Sequence, residues 1–235
     1  MSDIHGNLVA LDAVLAHAGP VDEVWHLGDI VGYGPDPDGV VARLAEVKAV
    51  GVRGNHDAAA LGGDEIEHFN PEARAAMEWT RGAISDDTRA WLATLPERRM
   101  EGDMTLVHGS PRDPTWEYLT TASAARGSFA ALTTAHGLNG HTHVPAAFTL
   151  EDDRIGLLRP GDGESLSLTG TRVLLNPGSV GQPRDGDPAA SYLILDPERE
   201  VATWHRVSYD IGAVQAAMHE VGLPPRLAAR LGHGL

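Results

Sequence analysis

The sequence contains no cysteine and only one lysine, and acidic side chains far outnumber basic ones. The lack of cysteine excludes disulfide bonds, thiolate metal sites and cysteine nucleophiles, so a bound metal must rely on nitrogen and oxygen ligands. The 18 lysine and arginine residues against 33 aspartate and glutamate residues give a formal net charge of −15. This charge repels the phosphate backbone of nucleic acids and anionic lipids, which disfavours a duplex-binding or membrane-binding protein.

Long apolar runs are also missing from the sequence. No run approaches the ~20 residues that a transmembrane helix requires. The first residues lack the basic segment and the apolar core of a signal peptide. The sequence therefore predicts a cytoplasmic protein without a membrane span.

The length of 235 residues and the hydrophobic share of 42% suit one large domain over residues 1–235. Helical and strand patterns alternate over the first hundred residues, which predicts an α/β core. Residues 64–96 have a helical pattern and predict a helical insertion. Between residues 146 and 207, short apolar runs separated by Gly, Pro and Asp are typical of an antiparallel sheet. We therefore expect a two-sheet α/β domain.

Histidines and carboxylates concentrate in five short clusters, each beside glycine and at the end of a predicted strand. The clusters are Asp3-Ile4-His5, Gly28-Asp29, Gly54-Asn55-His56-Asp57, His108-Gly109 and Gly140-His141-Thr142-His143. Loops at strand ends of α/β sheets converge to build sites. Residues two apart on an extended segment point to the same side, so the first and last clusters can each offer two ligands to one position.

Each cluster alone has a simpler interpretation, because Asp29 and Asn55 follow glycine as turn residues commonly do. Surface histidines in glycine turns are also common. Together, however, two aspartates, one asparagine and four histidines are the oxygen and nitrogen ligands that two divalent ions require.

The five clusters, in this order, resemble the motifs of the calcineurin-like metallophosphoesterases. The resemblance implies an α-β-β-α sandwich with helices on its outer faces. It also implies two divalent ions, for which manganese, iron, zinc, nickel and cobalt all suit the ligands. One ion is expected on Asp3, His5 and His143, and the other on Asn55, His108 and His141. Asp29 is expected to bridge the two ions.

The resemblance further implies a reaction. A metal-bridged hydroxide would attack phosphorus, His56 would act as general acid toward the leaving group, and Asp57 would orient His56 or hold its proton. The segments Gly32-Tyr33-Gly34-Pro35 and 176–184 look like those of compact bacterial and archaeal phosphodiesterases of this superfamily. We therefore expect a phosphodiesterase acting on small phosphate esters or nucleotides.

Other interpretations stay open at this point. A phosphomonoesterase or nucleotide phosphatase is the close alternative, and a non-catalytic scaffold of the same fold is another. The presence of His56 argues against a scaffold, and the negative charge argues against a nuclease. Arg112 and Arg184 are weaker candidates for binding a phosphate oxygen.

Two further expectations concern aromatic residues and the start of the chain. The five tryptophans are widely separated, so each is expected to pack in the core or a cap and not to form a stacking platform. Only Met1 and Ser2 precede Asp3, whereas the resembled family has an apolar strand there. An upstream start, a truncation or a sheet completed in another way would each account for this difference.

Overall fold

The first helices begin at polar caps. In the computed structural model, which describes residues 1–235, the Asn7 side chain accepts the backbone N–H of Ala10 and starts α1 (Leu8–Ala18). Asp36 caps α2 (Pro37–Glu46) by accepting the N–H of Gly39. Each cap satisfies a backbone donor that has no partner within the helix. The remaining helices are α3 (Asn55–Ala60), a 3-10 helix (Asp64–His68), α4 (Pro71–Ala83), α5 (Asp86–Ala93), α6 (Ala122–Ala131), α7 (Ile211–Glu220) and α8 (Pro225–Leu231).

Eleven strands form three hydrogen-bonded sheets. The strands are β1 (Trp25–His26), β2 (Val50–Gly51), β3 (Arg98–Glu101), β4 (Met104–Val107), β5 (His136–Leu138), β6 (Ala146–Glu151), β7 (Arg154–Leu158), β8 (Ser165–Ser167), β9 (Arg172–Asn176), β10 (Ala190–Asp196) and β11 (Val201–Val207). The six-stranded sheet has the order β3-β4-β5-β9-β6-β7, with β4, β5 and β9 parallel. A three-stranded antiparallel sheet has the order β10-β11-β8, and β1 pairs with β2 in parallel.

The first three residues connect β1 to the segment before β10. The Met1 carbonyl accepts the N–H of Leu27, and the Ser2 carbonyl accepts the N–H of Val180. The backbone N–H of Asp3 donates to the carbonyl of Gly28. Residues 1–3 thus have hydrogen-bonded neighbours on both sides, which fixes the start of the loop that carries Asp3 and His5.

Apolar clusters show how the layers stack. One cluster joins Leu106 of β4, Leu175 of β9 and Trp204 of β11, so the two larger sheets pack face to face. Phe129 of α6 packs with Leu174 on the outer face of the six-stranded sheet. The helices α1 and α2 cover the opposite side, against β10. The architecture is therefore an α-β-β-α sandwich, and the predicted fold class is confirmed.

Individual elements differ from the sequence-based expectation. The strand pattern of residues 21–27 predicts a longer strand than the two residues of β1, and residues 21–23 are exposed. The runs after residue 146 do not form one antiparallel sheet. They divide between two sheets, and β9 pairs in parallel with β5. Helix α8 was not predicted, and it buries Leu227 and Leu231 in a cluster shared with α7.

The stretch predicted as a helical insertion contains the 3-10 helix, α4 and α5. These helices lie between β2 and β3, and α4 begins at an Asn70 cap. No helix in the structure has both the length and the apolar character needed to cross a bilayer.

Candidate metal centre

The strand ends deliver the seven predicted ligands to one place. Asp29 follows β1, Asn55 opens α3 after β2, His108 follows β4 directly, and His141 and His143 follow β5. Asp3 and His5 join them from the start of the chain. The seven residues are all buried in the structure. Loops at the carboxyl ends of strands therefore converge here, as is common for sites in α/β sheets.

Five of the ligands have left-handed backbone conformations, with φ between 50° and 66°. They are Asp3, His5, Asp29, His141 and His143. This region is sparsely populated by residues other than glycine, and holding a side chain there has a conformational cost. The surrounding hydrogen bonds offset that cost, as where the His5 N–H donates to the Asp29 carbonyl at 2.9 Å. Such strain is typical of functional sites.

The first group of ligand atoms comprises Asp3, His5, Asp29 and His143, whose donor atoms all lie within 4.8 Å of one another. His5 Nε2 lies 3.2 Å from His143 Nε2 and 3.6 Å from Asp29 Oδ2. His143 Nε2 lies 3.3 Å from Asp3 Oδ1. Two carboxylates and two imidazoles therefore face one point.

The second group comprises Asp29, His108 and His141, again with donor atoms within 4.8 Å of one another. His108 Nε2 lies 3.4 Å from Asp29 Oδ2, 3.0 Å from His141 Nδ1 and 3.1 Å from Asn55 Oδ1. Asp29 belongs to both groups, which is the geometry that the predicted bridging role requires.

The tautomers of three histidines test whether the site suits a cation. His5, His108 and His143 each place Nδ1 beside a backbone carbonyl, those of Val31, Leu27 and Gln182. A carbonyl only accepts, so each Nδ1 carries a proton, and each ring in its neutral form directs the Nε2 lone pair into the site. Carbonyl contacts at the outer nitrogen are typical of metal-ligating histidines.

No hydrogen-bond donor faces these lone pairs. The Nε2 lone pairs of His5 and His143 face each other, and Asp3 Oδ1 is buried without a hydrogen-bond partner. Acceptors that crowd together in this way are unfavourable unless a cation lies between them. Nitrogen and oxygen donors suit divalent transition metals, so the residues fit a divalent metal site.

Burial and charge shift the pKa values of the site. Burial lowers the pKa of His5 and His143 well below the usual range and that of His141 to about 3. Burial also acts against charging His108, but Asp29 and Asp3 outweigh it and raise its pKa to about 9. Burial opposes charge on Asp29 too, and its neighbours His108 and His56 still hold its pKa well below the usual range. The rings of His5, His141 and His143 are therefore neutral, which is the form that binds a metal.

Two glycines allow the site loops to touch. A Cβ on Gly28, whose φ is +86°, would lie 2.4 Å from the backbone nitrogen of Gly54. A Cβ on Gly54 would lie 2.1 Å from Asp29 Oδ1. Any side chain at either position would separate Asp29 from the Asn55 loop.

His56 lies beside the ligands without belonging to either group. Its backbone N–H donates to Asp29 Oδ1 at 2.9 Å, and its ring lies 4.9 Å from that of His5. The ring stacks on Phe69 with a centroid distance of 4.4 Å, and its Nδ1 is buried without a partner. Burial lowers the pKa of His56 to about 4. A non-ligand imidazole therefore stands next to the ligand groups.

Asp57 makes a different contact from the expected one. Its Oδ1 accepts the N–H groups of Ile30 and Val31, and its Oδ2 accepts the N–H of Gly54. These three bonds occupy the carboxylate, which has no hydrogen bond to His56. Asp57 thus ties the Asp29 loop to the Asn55 loop, in place of the predicted contact with the His56 ring.

The two candidate arginines lie in different surroundings. Arg184 donates to Gln182 Oε1, and its guanidinium carbon lies 5.9 Å from the centre of the Tyr33 ring. Its charge contributes to lowering the pKa of His143 and His56, so it is near the ligands. Arg112 is exposed and pairs with Glu117.

Three aromatic residues around the ligands were not predicted from the sequence. The Tyr118 ring lies 4.0 Å from the His141 ring, and the Trp116 ring lies 6.5 Å from it. Phe69 stacks on His56 and lies 6.4 Å from Trp116. Trp116 is half-buried and belongs to none of the apolar core clusters, and its ring lies against those of His68 and Phe69 from the helical insertion. The only sequence signal was the position of Trp116 and Tyr118 shortly after His108.

Comparisons with known proteins agree with this geometry. The model of the calcineurin-like phosphoesterase superfamily domain matches residues 1–200. The protein MJ0912 of Methanocaldococcus jannaschii is 34% identical over 242 residues, which cover 98% of this chain and 95% of that protein. A crystal structure of a metallophosphoesterase from Sphaerobacter thermophilus is 46% identical with a TM-score of 0.91, over 100% of this chain and 97% of that one.

A more distant structure supports the fold alone. The hypothetical protein PH1004 from Pyrococcus horikoshii OT3 is 20% identical with a TM-score of 0.81, over 100% of this chain and 97% of that one. The sandwich is therefore shared well beyond the range of clear sequence similarity.

Proposed function

Because the chain belongs to the calcineurin-like phosphoesterase superfamily, we propose that it is a metal-dependent phosphodiesterase that hydrolyses small phosphodiesters or nucleotides. Two divalent ions would occupy the site. Asp3, His5 and His143 would hold one ion, and Asn55, His108 and His141 would hold the other. Asp29 would contact both.

The observation that carries this proposal is the pair of ligand groups that share Asp29. A divalent ion pair supplies an activated water and stabilises charge on phosphoryl oxygens. Asp3 and Asp29 contribute two negative charges against four positive ones, so the pocket becomes locally cationic. A phosphate ester is then attracted to one place on a protein whose net charge is −15.

Side chains beside the ligands would donate the proton and bind the phosphate. His56 would give a proton to the departing oxygen, and two observations support this role: its ring is next to the ligand groups, and its Nδ1 is buried without a partner. Because burial lowers its pKa to about 4, the ring would have to take up that proton when the substrate binds. Such an acid typically contributes ~10²–10⁴-fold to the rate. Arg184 would hold a non-bridging phosphate oxygen, and Gln182 and the Tyr33 ring position its guanidinium.

Steady-state kinetics with bis-p-nitrophenyl phosphate and p-nitrophenyl phosphate tests the proposal. The protein loaded with Mn²⁺ should hydrolyse the diester with the higher kcat/KM, and EDTA should abolish the activity. Asp29→Asn, assayed under the same conditions, is the matched control for a contaminating phosphatase. A higher kcat/KM for the monoester would identify a phosphomonoesterase instead. Absence of chelator-sensitive turnover on both esters would identify a non-catalytic member of the fold.

A further inference from the structure

An aromatic surface borders the metal centre. It consists of Phe69, Trp116 and Tyr118, which we call the aromatic rim. Phe69 comes from the helical segment between β2 and β3, whereas the other two come from the loop between β4 and α6. Ring centroids lie 6.4 Å apart for Phe69 and Trp116, and the Tyr118 ring lies 4.0 Å from that of the ligand His141. The rim therefore lies close enough to the ligands for one small substrate to contact both.

The loop that carries two rim residues is held rigidly. The Asp113 side chain accepts the backbone N–H groups of Thr115 and Trp116. The Gly109 N–H donates to the Pro114 carbonyl at 2.6 Å, directly after the ligand His108. Arg112 pairs with Glu117 on the same loop. The rim is thus preorganised relative to the ligands, which reduces the entropic cost of binding.

Packing alone does not account for the exposure of Tyr118. The Tyr118 side chain is 53% exposed, one of the few large apolar side chains in the chain with that much exposure. It gains little from burial there, yet it stacks against a ligand histidine. Burial raises the pKa of Tyr118, and the charge of Arg184, the cation assigned to the phosphate, is near enough to act against that rise. Tyr118 therefore stands between the phosphate position and solvent, where the rest of a substrate must lie.

We propose that the aromatic rim binds the base of a nucleotide-containing phosphodiester, an inference that rests on the proposed function. Flat rings stack on any base, and the three rim side chains carry no charge that would select one base over another. Selection should therefore be for the presence of a base and not for its identity. The net charge of −15 limits the substrate to mononucleotide or dinucleotide size, because longer strands add repelled phosphates.

Calorimetric titration of the Mn²⁺-loaded protein with AMP and with ribose 5-phosphate tests the rim. The two probes share the phosphate and the sugar and differ only in the base. The wild type should bind AMP at least 5-fold more tightly. Tyr118→Ala and Trp116→Ala should each weaken AMP binding within the range of about 5- to 150-fold expected for one lost stacking contact, and leave ribose 5-phosphate unchanged.

One conservative variant and one control variant accompany these titrations. Tyr118→Phe should retain AMP binding, because the ring is kept and only the hydroxyl is lost. Leu157→Ala removes another half-exposed apolar side chain, on the edge strand β7, and should change neither affinity. Since Tyr118 is exposed, its alanine variant tests the rim even where Trp116→Ala fails to fold.

Equal affinities of the wild type for AMP and ribose 5-phosphate would overturn the rim assignment. So would a Tyr118→Ala variant that weakens both probes alike. These titrations do not depend on turnover. A preference for AMP without any chelator-sensitive hydrolysis would therefore overturn the proposed activity and leave the rim assignment supported.

Discussion

His5 and His143 place their Nε2 atoms 3.2 Å apart although 138 residues separate them in the chain. Each ring keeps its proton on Nδ1, because each Nδ1 faces a backbone carbonyl. Two lone pairs thus point at each other in a buried space, next to Asp3 and Asp29. A divalent cation between the rings would relieve this crowding of buried acceptors.

Asp29→Asn should lose more metal than His5→Ala. The carboxylate belongs to both ligand groups, whereas His5 belongs to one. The asparagine side chain is neutral and coordinates through a single oxygen, so both ions lose a charged ligand. Metal content measured by mass spectrometry on the purified variants should fall furthest in Asp29→Asn, with kcat reduced in parallel. Two ions per chain in that variant would contradict the bridging role.

His56→Ala should damage esters according to their leaving groups. p-Nitrophenolate departs without a proton, whereas the alkoxide of a sugar needs one. We expect kcat/KM to fall ~10²–10⁴-fold for a nucleoside ester and much less for a p-nitrophenyl ester. The metal content should stay unchanged, since His56 belongs to neither ligand group. Equal losses for both esters would leave His56 with a binding or structural role only.

The two arginines provide a matched pair of variants. Arg184→Ala should raise KM for phosphodiesters by about 10-fold or more, because a charge-assisted contact to phosphate is lost. Arg112→Ala should leave KM within about 2-fold of wild type, because its guanidinium pairs with Glu117 on an exposed loop, where ion pairs contribute little. A larger effect from Arg112→Ala than from Arg184→Ala would reverse the assignment of the phosphate cation.

His26 should make the fold sensitive to acid. It is fully buried, neither ring nitrogen has a hydrogen-bond partner, and burial lowers its pKa to about 3, with the N-terminal amino group and Arg99 acting in the same direction. The unfolded chain binds a proton at this residue below about pH 6.5, and the folded chain does not. The resulting stability is present at pH 7 and is lost as the pH falls from about 6.5 toward 3.

Urea unfolding of wild type and His26→Leu at pH 7 and pH 5 measures this contribution. The wild type should lose about 2 kcal/mol more than the variant between these two values. The metal centre and the amino terminus are common to both proteins, so their effects cancel in the comparison. Identical pH dependence of the two proteins would show that His26 has the same pKa in the folded and unfolded chains, which would contradict the prediction.

Some positions could not be predicted from sequence because their partners are distant in the chain. Asp57 follows His56 directly, which suggested a contact between them, but helix α3 directs the carboxylate toward the backbone of Ile30 and Val31. The role of Trp116 depends on Phe69, which the chain brings to it through the 3-10 helix and α3. Neither partner has a pattern that marks it in the sequence.

The sequence by itself determined the family and the candidate ligands, because ligand chemistry and spacing are local properties that five short motifs carry. It also determined the alternation of helices and strands over the first hundred residues. The tertiary structure decided which strands pair, that Asp29 lies in both ligand groups, and that Arg184 lies near them whereas Arg112 pairs with Glu117. These are relationships between segments far apart in the chain, and only the packing of the two sheets sets their distances.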